Sequence, residues 1–298
     1  TTDDELKDQL KLNSGDRTWY ITMNLTQPPF DDIHVRKAAN WIMDKEGLRR
    51  ARGGSSAGDI AHHVVPDLMF GNELEDYKPY GTEGDAGDLE KAKEEMAQSK
   101  YDTDKDGMCD APECKNVLHV NRNTDLWVAM EPVVEESFRK IGIQLVSREF
   151  EDSYTVIQTV KRHVPVSTTP GWGKDYADPS TFMVLFDSES IIPEGNVNYS
   201  LVGLTPELAQ EVGAKGTLEG IPSVDADIDR CNELTDDERQ DCWMDLDRKL
   251  MEEVVPWVPY LDATNIDVVS PAVTKYEYDQ FSGITAYAHV AVDETKQK

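Results

Sequence analysis

Apolar and polar residues alternate in two registers along this chain. WYITMNL (19–25) has the two-residue period of a strand. After PPFDD a helical period takes over, with Val35, Ala38, Ala39, Ile42 and Met43 on one face. RGGSSAG (52–58) and the Gly/Pro-rich stretch 66–87 read as loops. Asp88 is placed to cap a short helix carrying Leu89, Ala92 and Met96. VLHV (117–120) is strand-like. Thr124 then opens a helix through Trp127, Met130, Val134 and Phe138, which Gly142 ends. IQLVSREF (143–150) is again a strand, followed by a helix from Asp152 and the strand-like VPVST (164–168).

The later part is more helical. Asp178-Pro179 and Thr205-Pro206 each put a capping residue before a proline. Thr235 with Glu238 has capping-box spacing and predicts a helix to about Val255, with Cys242, Leu246, Leu250 and Val254 as its apolar face. The tail, 256–292, shows short strand-like pieces such as NIDVV, interrupted by prolines. Strands and helices that alternate in this way, with no internal repeat, predict an α/β domain with a mixed sheet.

Charge alters this picture more than length does. The 298 residues hold 58 Asp plus Glu against 30 Lys plus Arg, a formal net charge of −28. Such a field repels phosphate backbones, so nucleic acid is not an expected partner. An acidic solvated surface, high-salt surroundings or cation binding all suit it. No apolar run has the length of a membrane span, and the opening TTDDELKDQLKLNSGD is polar and acidic. The four cysteines form two local pairs, Cys109/Cys114 and Cys231/Cys242. Close pairing favours two short disulfide loops in an oxidising compartment over free buried thiols. Zinc ranks below both, since His62 and His63 lie far off and would diverge in an extended segment.

One stretch carries a metal-loop pattern. In YDTDKDGMCDAPECKN (101–116), Asp102, Asp104, Asp106, Gly107, Asp110 and Glu113 fall on positions 1, 3, 5, 6, 9 and 12 of a calcium loop, with Met108 offering its carbonyl. A hard divalent ion needs six or more oxygens, and this spacing wraps carboxylates about one centre. Pro112 stands at the eleventh position and a strand follows Glu113, so the stretch is similar to free-standing calcium loops of extracellular proteins, not to a helix–loop–helix hand. The alternative is a solvated acidic turn that binds nothing. Catalytic patterns are missing: there is no G-x-S-x-G, no H-E-x-x-H and no phosphate-binding glycine loop, so no enzyme is expected.

Three ordered segments, TQPPFDDIHVRKAANWIMDKEGL (26–48), GWGKDYADPSTFMVLF (171–186) and DDERQDCWMDLDRKLMEEVVPWVPYL (236–261), resemble the family 5 (peptide/nickel-type) extracytoplasmic solute-binding proteins of ABC importers. The resemblance runs from about Trp19 to Val290. It implies a periplasmic-binding-protein-like class II lobe, α/β with a mixed sheet and flanking helices. Family members are much longer, so the chain corresponds to their second half: a polar lead-in at 1–17, the C-terminal lobe at 18–262 with the loop insertion 101–116, and a returning tail at 263–298. The first lobe, a secretion signal and an anchoring cysteine are then expected outside the chain.

The expected function is extracytoplasmic binding of short peptides between two lobes and delivery to a membrane permease, with calcium as a structural cofactor. Oligosaccharide cargo, or a calcium-stabilised adhesive protein, are the alternatives. In peptide-binding relatives the aspartate of G-W-x-x-D holds the ligand ammonium and the tryptophan lines the pocket; here these are Asp175 and Trp172. Read without the family, Asp175 suits a turn and Trp172 a core. A basic residue found just upstream in some peptide binders is replaced by Thr168 and Thr169, which leaves a ligand carboxylate without a partner in this segment.

Overall fold

The computed structural model describes residues 4–296; the first three residues of the lead-in and the last two of the tail lie outside the described residues. Seven strands form one mixed sheet: β1 (Leu10–Met23), β2 (Gly58–Asp59), β3 (Val117–Arg122), β4 (Leu145–Phe150), β5 (Val166–Ser167), β6 (Gly171–Gly173) and β7 (Trp257–Val268). Their order is β2-β7-β1-β5-β3-β4, with β6 also on β1. β3 is parallel to β4 and β5, and the remaining pairs are antiparallel.

The two long strands set the shape. β1 and β7 pair from Leu10↔Val268 to Thr22↔Trp257, with register shifts between Ser14 and Thr18 and between Trp19 and Tyr20. β1 therefore begins nine residues before the alternating segment. Its outer half has little apolar alternation to announce it and is held by main-chain pairing. Pro259, which made the tail look broken, sits opposite Tyr20 beside a register shift, where a missing N–H is tolerated.

Alternate side chains feed two cores. Tyr20, Val120 and Trp257 pack on one side of the sheet with Phe182, Phe186 and Trp243. Ile21, Met23, Val258 and Tyr260 pack on the other with Phe30, Val35, Met96 and Phe138. Tyr20 and Trp257 stack at 3.4 Å with 6° between their planes. Each fully buried large side chain contributes about 1.5–3 kcal/mol.

Asp32 accepts from the His34 N–H and starts the helix Ile33–Ile42. Asp88 accepts from Glu90 and Lys91 and starts Leu89–Met96. The helix expected from Thr124 is broken into Asp125–Val128 and Glu131–Arg139, because Pro132 lacks the N–H that continuity needs. Thr124 and Thr235 both occupy N-cap positions, yet neither side chain makes the capping bond. The long helix Asp236–Lys249 passes into a π turn, Leu250–Val254. There the buried Arg36 guanidinium donates to the Val254 carbonyl at 2.9 and 3.1 Å and to Phe30 O at 2.8 Å, closing the helix end. Both cysteine pairs are disulfides: Cys109–Cys114 closes the acidic loop, and Cys231–Cys242 ties Asp225–Glu233 to Asp236–Lys249.

Candidate functional site

The GWG segment is strand β6, laid antiparallel on β1 with Arg17↔Gly173, Thr18↔Trp172 and Trp19↔Gly171 as partners. Gly171 is required here: a Cβ would run into the Trp19 ring. Trp172 is half-buried against the sheet core and donates its indole N–H to Thr181 O at 2.9 Å. Asp175 follows the strand; its N–H donates to Thr181 Oγ1 at 2.9 Å, and its exposed carboxylate has no hydrogen-bond or ion-pair partner among the described residues. Asp178, three residues on, is fully committed. It accepts from the Ser180 N–H at 3.0 Å and from both Arg239 Nε and Nη2, at 2.9 and 3.0 Å. Burial alone would raise its pKa, but Arg239 and Ser180 together lower it below the usual value.

Thr168 and Thr169 are wholly buried. His119 Nε2 lies 2.7 Å from Thr168 Oγ1, while its Nδ1 lies 2.9 Å from Ser147 Oγ, which in turn donates to Glu135 at 2.6 Å. With its proton committed to Glu135, Ser147 accepts from Nδ1–H, so Nε2 accepts from Thr168. Burial lowers the His119 pKa to about 4, which keeps the ring neutral for this relay. Thr168 is thus a packing partner below the sheet surface.

The acidic loop divides its carboxylates. Asp102, Asp104 and Asp106 each bring an oxygen within 4.8 Å of the others. Asp102 is fully buried and accepts from the N–H groups of Lys105, Asp106 and Gly107, at 2.7, 3.3 and 2.8 Å. Asp106 accepts from Met108 N–H at 2.9 Å. Gly107 has φ +86°, and a Cβ there would come within 2.6 Å of Lys93 Cβ. Asp110 is turned instead to Thr103, whose N–H and hydroxyl it accepts at 3.0 and 2.6 Å. Glu113, exposed in the short turn Pro112–Cys114, also stands outside the cluster. The donor set fits a hard cation in part: three carboxylates converge, with the Met108 position next to them, and the ninth- and twelfth-position acids do not.

Three features escaped the sequence reading. His62 and His63 do diverge, as expected, but His63 is a hub: Nδ1 lies 3.0 Å from Asp247 and Nε2 3.0 Å from Asp67. Burial opposes its charge, yet Asp247 and Asp67 raise its pKa to about 10. The inaccessible Asp247 also accepts from the Val64 and Val65 N–H groups, pinning that loop to the long helix. The other two are Arg17 and Arg52 beside Trp19. Carrying the strand alternation of 19–25 back by one period would have placed Arg17 on the Trp19 face.

The fold is thus a mixed sheet between two cores with flanking helices. Residues 1–193 match the family described as bacterial extracellular solute-binding proteins, family 5 Middle, and the chain belongs to this family. It is 25% identical over 306 aligned residues to heme-binding protein A of Haemophilus influenzae, covering 96% of this chain and 46% of that protein. It is 24% identical over 185 residues to the periplasmic oligopeptide-binding protein OppA of Escherichia coli, covering 60% of this chain and 31% of that protein. Among solved structures, clavulanic acid biosynthesis oligopeptide binding protein 2 superposes with a TM-score of 0.78 at 22% identity, covering 98% of this chain and 49% of that one. MppA, a periplasmic murein tripeptide binding protein in its unliganded open form, gives 0.70 at 17% identity, covering 95% and 49%. The chain spans about half the length of these relatives or less. They are substrate-binding proteins, not enzymes, and the family is extracellular by description. Among the described residues no helix is long and apolar enough to cross a membrane.

Proposed function

We propose that this chain is one lobe of an extracytoplasmic solute-binding protein that encloses short peptides against a second lobe and presents them to an ABC permease. The observation that carries this reading is Asp175. It is an accessible carboxylate at a strand end, beside Trp172, which the fold leaves unpaired while its neighbour Asp178 is committed twice over. A peptide ammonium supplies the missing charge, and its burial unpaired would cost several kcal/mol. The second lobe has a place to pack. The outer ends of β1 and β7 and the tail expose Leu12, Ile266, Val268, Phe281, Ile284 and Tyr287, which is unusual for apolar side chains without a partner.

The test is mass spectrometry of small molecules released from the full-length protein, followed by calorimetry with unmodified and N-acetylated peptides. Peptides are expected in the released fraction, with acetylation weakening rebinding. A porphyrin or an oligosaccharide recovered instead, or equal binding of acetylated peptides, overturns the reading; the alignment with heme-binding protein A over 96% of the chain is why porphyrin belongs in the comparison.

We also propose that the acidic loop holds a structural calcium ion through Asp102, Asp104 and Asp106 and the Met108 carbonyl, with water completing the shell. Asp110 and Glu113 reach the ion only if the loop closes further. The cluster of three supports this, because three carboxylates this close repel one another until a cation joins them.

A further inference from the structure

We propose that Lys174 is a positioning residue for cargo: without touching the ligand, it clamps the segment that carries Trp172 and Asp175 to the break in register of β1 and to the tail. The inference deepens the peptide reading and rests on it. The Lys174 side chain is only 6% exposed, which is unusual for a lysine. Its Nζ lies 3.1 Å from Asp16 Oδ2 and donates to the Gln280 carbonyl at 2.6 Å. Its backbone N–H donates to Asp16 O at 3.1 Å. One residue thus joins two parts of the chain that lie at opposite ends of the sequence.

Little else fixes this segment. The pairing of β6 with β1 reaches as far as Arg17↔Gly173. Asp175, Tyr176 and Ala177 are exposed and belong to no strand or helix. Thr181 receives the Trp172 indole N–H and the Asp175 N–H, and the Tyr176 hydroxyl lies 3.1 Å from Ser180 Oγ. All of these bonds are local to residues 172–181. Between 174 and 177, Lys174 is the one described residue whose side chain bonds outside that stretch.

The partners are themselves anchored. Asp16 lies between Ser14 and Thr18, where β1 slips against β7, and there its carbonyl accepts from Lys174. Gln280 sits in the turn between the paired segments Tyr278–Asp279 and Ile284–Thr285, and its side chain donates to Ser14 O at 2.9 Å. The clamp therefore ties the cargo segment to the long strands and to the tail at once. Next to Gln280, Phe281 is exposed on the surface where the second lobe is proposed to pack.

The clamp also protects the charge that cargo needs. Lys174 is turned in and Asp175 is turned out. A lysine free to swing beside Asp175 would compete with the peptide ammonium for its carboxylate. Here that lysine is spent on Asp16, so the adjacent acid stays open.

The test is a double-mutant cycle in the full-length protein, read by calorimetry with an unmodified tripeptide and its N-acetylated form. Lys174→Met keeps the aliphatic stem and removes the side-chain bonds. It is expected to weaken binding about three- to thirtyfold, within the range for coupled neighbours, and to shrink the penalty for N-acetylation. In the Asp175→Asn background the same change should cost about twofold or less. A lysine that merely stabilised the fold would cost the same factor in both backgrounds. That result, or no loss in the parent, overturns the proposal and leaves the peptide reading standing. If Lys174→Met fails to fold, Asp16→Asn takes its place in the cycle, with the same two outcomes deciding. If the parent binds no tripeptide, the peptide reading fails, and the clamp is judged by amide hydrogen exchange. Exchange at Lys174 and Asp175 that is about tenfold faster in Lys174→Met supports it, and unchanged exchange at both overturns it.

Discussion

In the 101–116 loop, Asp102, Asp106 and Asp110 all accept hydrogen bonds from their own loop, whereas in the 171–178 segment Asp178 is consumed and Asp175 accepts none. The first region therefore leaves Asp104 and Glu113 uncommitted, and the second leaves Asp175. Their settings differ. Asp104 shares a 4.8 Å cluster with two other acids, the setting for which we propose a divalent cation. Asp175 is exposed and its carboxylate accepts no hydrogen bond among the described residues, the setting for which we propose a single organic ammonium. The lesson is that the carboxylates worth pursuing in an acidic chain are the ones its own backbone has not already used.

The sharpest way to break this contrast is Asp175→Asn in the full-length protein. Peptide affinity should fall by a factor of about ten to a thousand with the melting temperature unchanged, as read by calorimetry and a thermal melt. Equal affinity would make Asp175 a turn residue. The converse variant is Asp102→Ala. It strips three backbone N–H groups of their acceptor and should cost about 1–3 kcal/mol in a urea titration, without touching peptide selectivity.

Calcium sharpens the comparison inside the loop. With a dissociation constant of about 10⁻⁴–10⁻³ M, the range of extracellular modules, ten times that concentration should stabilise the fold by about 1.4 kcal/mol. Asp104→Ala should abolish the calorimetric heat, and Glu113→Ala should weaken it less, because Glu113 lies outside the cluster. Equal losses would mean that the loop closes onto Glu113 when metal binds. The smallest effect concerns Asp178. Its pKa is held below the unfolded value, so its contribution is present above about pH 4 and is lost as pH falls through the folded value. Solvent exposure of the Arg239 pair keeps the effect small. Asp178→Asn should flatten the acid limb of stability against pH slightly.

How much of this was legible in the sequence varies with the kind of signal. Helix starts with a short acidic cap read correctly at Asp88 and Asp152, since the cap and its N–H partners lie within three residues. The capping bonds assigned to Thr124 and Thr235 do not form, and the helix from Thr124 ends early because Pro132 outweighs the apolar spacing that runs through it. The outer half of β1 was hidden because its stability comes from β7, some 250 positions away in sequence. The same distance hid the anchoring of His63 by Asp247. The pattern of the acidic loop predicted six ligands around one centre. The structure gathers three of the carboxylates, because the turn at Thr103 captures Asp110 first.

The pairing of Leu10 with Val268 has a mechanical consequence. Everything between these residues enters and leaves by two adjacent strands, so the lobe hangs on a two-lane ribbon. Drawn in the same direction, both lanes take the load together and transmit it to the cores as one stiff handle. Prised apart at the outer end, they would unzip one rung at a time. The break in register between Ser14 and Thr18 is where such a handle bends most easily, so whatever grips its outer end can tilt the lobe as a body without unpicking its interior.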